Sequence, residues 1–569
     1  MSRKVAIFVL VLVTLVAFAP LCTHDFTWWD DFATVSQNPW LNPPPGQNDA
    51  HFWVDSLKHY WSSVAYGLYV PVTYTVWVFL ALLARVEQPD EFGIALNPWV
   101  FHSANVVVHV CAVLAAFALL RRLTKTSGPA LVGALLFALH PVQVEPVGWV
   151  SGMKDVLAGC LGLVALWRYV VRAERDDVNP LISDAWGTLA LLAAMLAKPS
   201  AIVVPFIAMA IDRLMLRRDW RTILRASISG IVIAIVIAIV ARRAQDVTGI
   251  PAAPLWARPF IAGDAYFFYL RKLIFPFWLG VDYGRRPDVV MRSATFYFAW
   301  LAPAAVALVA WLARRRRPWV AAAAIIFLIA ILPVSGLTTF MYQFTSTVAD
   351  HYLYLAMLGP AIAAAFFLRE YSEAGRRTLS CSVATFVLLI LGLRSAAQTL
   401  VWKDDFALFA NALDVNPDSF VAHNNLGHAY LQNSAGGTNR EMLEQALAEF
   451  TDAMKLNPDY PNAYENAARV YALLGRQEES IDAIEKSIQI RERLPRTLFP
   501  NYVEDHNRVG QVLLARGEYR RAIAHFEALL KVKPEHEEAR KYLEVAREKL
   551  RVATTREGNP KPETRMTNQ

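Results

Sequence analysis

From residue 5 to residue 398 the sequence keeps returning to one unit: an apolar stretch closed by a basic cluster or a short polar turn. About 17–25 apolar residues cross a bilayer as a helix, and in lipid only helices or closed barrels satisfy every backbone hydrogen bond. The pattern therefore predicts an all-α, polytopic membrane region. Hydrophobic residues make up 55% of the 569, above the ~45–50% usual for soluble domains. Arginine clusters mark cytoplasmic ends, and they set a register for the spans. Segment 5–21 leaves the cytoplasm behind Arg3-Lys4, and Pro20 after Ala17-Phe18-Ala19 argues against cleavage as a signal peptide. Segments 98–120, 156–171, 202–215, 295–312 and 353–368 descend towards basic clusters, the strongest being Arg314 to Arg317. Segments 131–140, 185–197, 228–240, 320–333 and 380–398 rise between them. The count is about eleven spans with a cytoplasmic N-terminus and an external C-terminus. Arg242-Arg243 is the one pair this register leaves outside. Stretch 70–84 is short and lacks a flanking basic cluster, so it is read as an interfacial or re-entrant helix.

The net charge of +7 comes from arginines at helix ends. It reports topology rather than nucleic-acid binding, and no nucleic-acid partner is expected. Four scattered cysteines (Cys22, Cys111, Cys160, Cys381) show neither metal spacing nor a disulfide framework and read as packing residues. No acidic cluster calls for a metal, so no metal or cofactor is expected.

After Trp402 the composition turns charged and repetitive. Leu426-Gly427, Tyr430, Ala446, Phe450, Ala453 and Pro458 are followed by Tyr464, Ala467-Ala468, Tyr471 and Ile484. A third set runs Val509-Gly510, Tyr519, Ala522, Phe526 and Pro534. Small and aromatic residues in this order are the tetratricopeptide pattern, in which paired helices interlock and a proline turns to the next pair. The expected organisation is a membrane domain over 1–400, with an external first loop over 22–97, and a soluble helical repeat solenoid over 401–552. Within the solenoid, 402–417 is read as a half repeat and 535–552 as a polar cap. A disordered tail is expected over 553–569.

The external first loop opens with Trp28-Trp29-Asp30-Asp31-Phe32. Ionisable groups beside a membrane are costly, and function is the default reading where several converge. On the same face the register places His102, Asn105, His109, His140, Glu145, Lys154, Asp155, Lys198, Asp350 and His351. His102, Asn105 and His109 share one helix face by their spacing.

Trp-Asp-Asp after the first span, Phe101-His102-Ser-Ala-Asn105 with His109, and Leu139-His140-Pro141-Val-Gln-Val-Glu145 form a set. With Ala349-Asp350-His351-Tyr352-Leu353-Tyr354-Leu355 and the attached repeats, it resembles the transmembrane tetratricopeptide-repeat O-mannosyltransferases. These are GT-C-class enzymes that use polyprenyl-phosphate sugars. The resemblance implies a GT-C-type membrane domain; the short loops point to a bacterial inner membrane with the site and the repeats periplasmic, or facing the endoplasmic reticulum lumen if the chain is eukaryotic. It implies transfer of a sugar, mannose first, to Ser/Thr hydroxyls of an acceptor protein held by the repeats. It makes Asp30 the general base, with Asp31 orienting or substituting. His102, Asn105, His109, His140, Glu145, Lys154, Lys198, His351 and Tyr352 are the substrate-binding expectations, and Arg271 and Lys272 are further cations for the leaving phosphate. The partners implied are the polyprenyl-phosphate sugar, membrane lipid and the acceptor. Two positions depart from the family pattern: His351 and Val70 stand where arginines are usual, removing two fixed charges near the expected phosphate. Those departures keep two other readings open, a non-catalytic scaffold and a transferase acting on a glycolipid or polysaccharide.

Overall fold

The computed structural model describes all residues except 45, 91, 176–183, 246–251, 494–501 and 558–569. The described residues are helical, with two isolated β-bridges and no strand. They form two units, Met1–Ser419 and Phe420–Gln569.

In the first unit, side-chain caps fix several helix starts. Asp49 accepts from Phe52 N, Asn97 from Trp99 N, and Asp219 from Thr222 N, each satisfying an amide that has no intrahelical partner. Among the described residues, six helices are long and apolar enough to cross a membrane. They are Arg3–Thr23, Pro98–Thr124, Val150–Ala173, Pro199–Leu216, Trp220–Ala244 and Arg377–Trp402. The protein is a multi-pass membrane protein, with large apolar side chains such as Phe8, Leu83, Phe386 and Leu393 exposed on outer helix faces. Ala185–Ala197, Leu301–Ala313 and Pro318–Val334 are shorter apolar helices.

Two expected spans differ. The rise over 131–140 is the first limb of a bent pair, Ser127–Leu139 and Pro141–Gly148, with a 56° turn. Pro141 lacks the amide that would continue the helix. The descent over 353–368 becomes a short turn, Asp350–Leu353, and a helix, Leu358–Glu373. Arg369, Glu370 and Glu373 occupy the last turns of that helix, which is not among the span-length apolar helices. Pro71–Ala84 is an apolar helix of 14 residues, about 21 Å long. It buries Trp77 fully and donates from Thr73 Oγ1 to the Ala197 carbonyl at 2.9 Å.

The division between units falls after Ser419, not at residue 400. The expected half repeat is helix Asp405–Val415, and it packs as part of the first unit. Ser419 Oγ donates to Asp282 Oδ2 at 2.5 Å, and Gly280 lies so close to Val415 that a Cβ would meet its side chain at 3.1 Å.

In the second unit three helix pairs follow, Phe420–Gln432 with Arg440–Leu456, Pro461–Leu473 with Gln477–Arg493, and Tyr502–Ala515 with Tyr519–Val532. A Cβ on Gly427 would lie 2.8 Å from Phe450, and one on Gly510 would lie 2.6 Å from Phe526. The repeat pattern of a glycine on one helix and an aromatic on its partner is thus a close approach of two helices. The last helix runs Glu537–Glu557. It carries the cap beyond residue 552, and the rest of the expected tail, 558–569, lies outside the described residues.

Candidate active site

The two acids of the first loop have different surroundings. Asp31 is fully buried. Its Oδ2 accepts from Thr27 N at 3.2 Å and Thr27 Oγ1 at 3.1 Å, and its Oδ1 accepts from Ser151 N at 2.9 Å. Ser151 precedes helix Met153–Ala173, so Asp31 faces a helix N-terminus, where negative charge is favoured. A second bond ties the same elements: Ser151 Oγ lies 2.6 Å from Thr34 Oγ1. Burial pushes the Asp31 pKa up to about 6, and the Ser151 and Thr27 bonds oppose the rise.

Asp30 keeps solvent contact while protein crowds it closely enough that desolvation raises its pKa, with the Lys154 charge opposing. Its backbone carbonyl accepts from Thr34 N and Thr34 Oγ1, both at 2.9 Å. Among the described residues its carboxylate has no hydrogen bond or ion pair. An accessible, uncommitted carboxylate next to a buried, fully bonded one can take a proton while its neighbour holds the loop.

Lys154 is buried over the rings of Trp149 and Trp77, at 5.3 and 6.0 Å. No carboxylate lies within ion-pair distance of it among the described residues. Lys198 differs, being clamped by both oxygens of Asp155 at 2.6 Å and lying 5.5 Å from the Tyr352 ring. Tyr352, His351, Asp155 and Lys198 line a small depression.

Glu145 organises the turn Asp350–Leu353. Its Oε1 accepts from His351 Nδ1 at 2.7 Å and its Oε2 from Asp350 N at 2.9 Å. Burial, then the Lys198 charge, pulls the His351 pKa well down. His351 is therefore a neutral donor to Glu145, and it does not restore the charge of the arginine usual there. Val70 is buried at the start of its helix.

Four of the expected residues are bonded to backbone carbonyls. His102 Nε2 donates to the Asp25 carbonyl at 3.1 Å, Asn105 to the Trp149 carbonyl at 2.7 Å, and His140 Nε2 to the Leu273 carbonyl at 3.2 Å. His109 donates to the Ala138 carbonyl and accepts from Tyr354 Oη at 2.8 Å. These four are buried and brace the interior, holding backbone carbonyls and, through His109, the Tyr354 hydroxyl. Lys272 donates to the carbonyls of Phe277 and Trp278, at 2.8 and 2.6 Å, and so shapes a loop. Thr27, Ser151 and Asp405 were not anticipated. Thr27 had a sequence signal, four residues before Asp31, whereas Ser151 and Asp405 are distant in the chain. All four cysteines are free, and only Cys160 is buried. Among the described residues no group of three or more His, Cys, Asp or Glu is arranged to hold a metal.

A tetratricopeptide-repeat family model matches residues 459–535. Protein O-mannosyl-transferase TMTC3 of Mus musculus is 23% identical over 499 residues, covering 79% of this chain and 51% of that protein. Protein O-mannosyl-transferase F38B6.6 of Caenorhabditis elegans is 22% identical over 473 residues, covering 79% and 63%. Protein O-mannosyl-transferase Tmtc3 of Drosophila melanogaster is 23% identical over 539 residues, covering 80% and 55%. The chain thus spans about half to two thirds of the length of these relatives. Among solved structures, ArnT from Cupriavidus metallidurans bound to undecaprenyl phosphate matches over 86% of this chain and 81% of that one. Its identity is 15% and its TM-score 0.36, too low to carry an argument. These relatives of the chain are named protein O-mannosyl-transferases, the group its Trp-Asp-Asp loop and its repeats resemble.

Proposed function

We propose that the chain is a membrane glycosyltransferase that moves a sugar, mannose first, from a polyprenyl-phosphate carrier to a Ser or Thr hydroxyl of an extracytoplasmic protein. The observation that carries the reading is the Asp30 carboxylate, accessible and uncommitted between two anchored neighbours. In the proposed step it takes the hydroxyl proton as the acceptor oxygen bonds to the anomeric carbon. The bond from that carbon to the phosphate oxygen breaks on the opposite face, so the configuration inverts. The departing polyprenyl phosphate keeps the electron pair, and its charge meets Lys154, the buried cation that no carboxylate among the described residues pairs with. The His351 and Val70 departures leave Lys154 with more of that task than in relatives carrying arginines there.

The names of the curated homologues support mannose and a protein acceptor. Helical repeats are common peptide-binding surfaces, which supports the second unit as the acceptor-holding part. In this reading the site opens on the periplasmic side of a bacterial inner membrane, or on the lumenal side in a eukaryote. The test is transfer of labelled mannose from polyprenyl-phosphate mannose to co-purified protein. Label on protein supports the reading. Label on lipid or polysaccharide redirects the acceptor, and no transfer from any polyprenyl-phosphate sugar leaves a repeat scaffold.

A further inference from the structure

Asp405 lies 377 positions beyond Trp28, yet its Oδ1 accepts from the Trp28 amide at 2.7 Å. It is the first residue of helix Asp405–Val415, whose start is fixed by Asp404 Oδ1 accepting from Ala407 N at 2.9 Å. The neighbouring contacts repeat the attachment. The Asp25 amide donates to the Lys403 carbonyl at 3.1 Å, and the Trp29 and Phe409 rings lie 6.4 Å apart. Trp28 in turn stacks on Phe32 at 4.0 Å. The acid loop is thus held from two sides. Helix Asp405–Val415 grips it just before Asp30, and Asp31 with Thr27 and Ser151 grips it just after. The far end of the same helix is tied down by Asn416 and Ser419 on Asp282, at 3.4 and 2.5 Å, one residue before the repeat unit begins.

We infer that Asp405 is a positioning residue for Asp30, and that segment 403–419, which leads into the repeats, is a strut setting where the base stands. Asp405 bonds to backbone, so its function is to present an acceptor oxygen at one place. The carboxylates of Asp25, Asp31 and Asp404 stand near enough to act on it. Burial, together with Asp31, Asp404 and Asp25, pushes its pKa up to about 7. A carboxylate kept in such surroundings is costly to charge, and the bond to Trp28 is what favours its charged form.

The kinetic half of this inference rests on the glycosyltransferase reading, and the exchange half does not. The experiment compares full-length wild type, Asp405→Ala and Asp405→Asn in detergent. Hydrogen exchange is followed on a peptide spanning 24–34, and initial transfer rates are measured over a range of donor concentrations. Asp405→Ala removes the acceptor, so exchange in the peptide should quicken about tenfold or more, the equivalent of one lost charge-assisted hydrogen bond. Its kcat should fall by a similar factor with the donor KM unchanged. Asp405→Asn keeps an amide oxygen at the same position and should restore both. Faster exchange with an unchanged kcat would overturn the positioning role, and so would wild-type exchange in Asp405→Ala. If wild type transfers nothing, the enzyme reading fails, while the exchange difference still decides whether the strut holds the loop. A fall in donor affinity equal to the fall in kcat would assign Asp405 to general folding and overturn the inference.

Discussion

Replacing Asp31 by Asn separates holding the loop from holding the fold. The rise of the Asp31 pKa from 3.8 to about 6 corresponds to about 3 kcal/mol against the folded state when Asp31 is charged at pH 7. Because the folded value is the higher one, its contribution to stability is full below about pH 4 and is lost as pH rises through 6. The amide of the Asp31→Asn variant carries no such penalty. It keeps one acceptor oxygen but turns an NH2 towards either Ser151 N or the Thr27 donors. The variant therefore loses one or two charge-assisted bonds, each worth about 1.5–3 kcal/mol. The lost bonds total about 1.5–6 kcal/mol against the relieved penalty of about 3 kcal/mol, so net stability at pH 7 should change by no more than about 3 kcal/mol, a shift of a few degrees in Tm. The loop carrying Asp30 loses one of its two anchors, and a misplacement of about 1 Å can cost about 100-fold in rate. Thermal unfolding and initial-rate transfer of the same detergent preparation read the two effects. The expected result is a near-native Tm, higher relative to wild type at pH 7 than at pH 4, with transfer lowered at least 100-fold. Wild-type transfer by Asp31→Asn would refute the reasoning, as would unfolding of the variant at pH 7.

Lys154→Met removes the cation proposed to meet the leaving phosphate, and the donor KM should rise about tenfold or more. The same change removes the charge opposing the rise in the Asp30 pKa, so the acid limb of the pH–rate profile should move to higher pH. A profile and a KM like those of wild type would detach Lys154 from the site. Gly427→Ala sets a Cβ 2.8 Å from Phe450 and should destabilise the repeat unit by about 1–3 kcal/mol. Limited proteolysis should then cut faster within Phe420–Leu456, with cleavage of the membrane unit unchanged.

Some of this molecule could be read from the chain because its cause is local. The repeats were legible because a glycine and an aromatic at fixed spacing stand for one helix contact, Gly427 on Phe450 or Gly510 on Phe526. The paired acids were legible as a site because carboxylates flanked by Trp and Phe beside a span are costly. Their division of labour was not, since Asp31 is buried by Ser151, 120 residues away. The hydrogen bonds of His102, His109 and His140 were not legible for a related reason: a ring that braces a carbonyl and a ring that meets a substrate look alike in sequence. The helix after Trp402 resembled half a repeat because helix period and small residues are all that sequence offers there. Asp282, Trp28 and Val415 decide its membership, and only folding brings them together.

Whether Asp30 is the base is decided by transfer of labelled mannose from polyprenyl-phosphate mannose by wild type and Asp30→Asn, with donor binding measured on both. Asp30→Asn should bind donor as wild type does and transfer at least 100-fold more slowly, the loss expected when a general base is removed. Wild-type turnover by Asp30→Asn would remove Asp30 as the base.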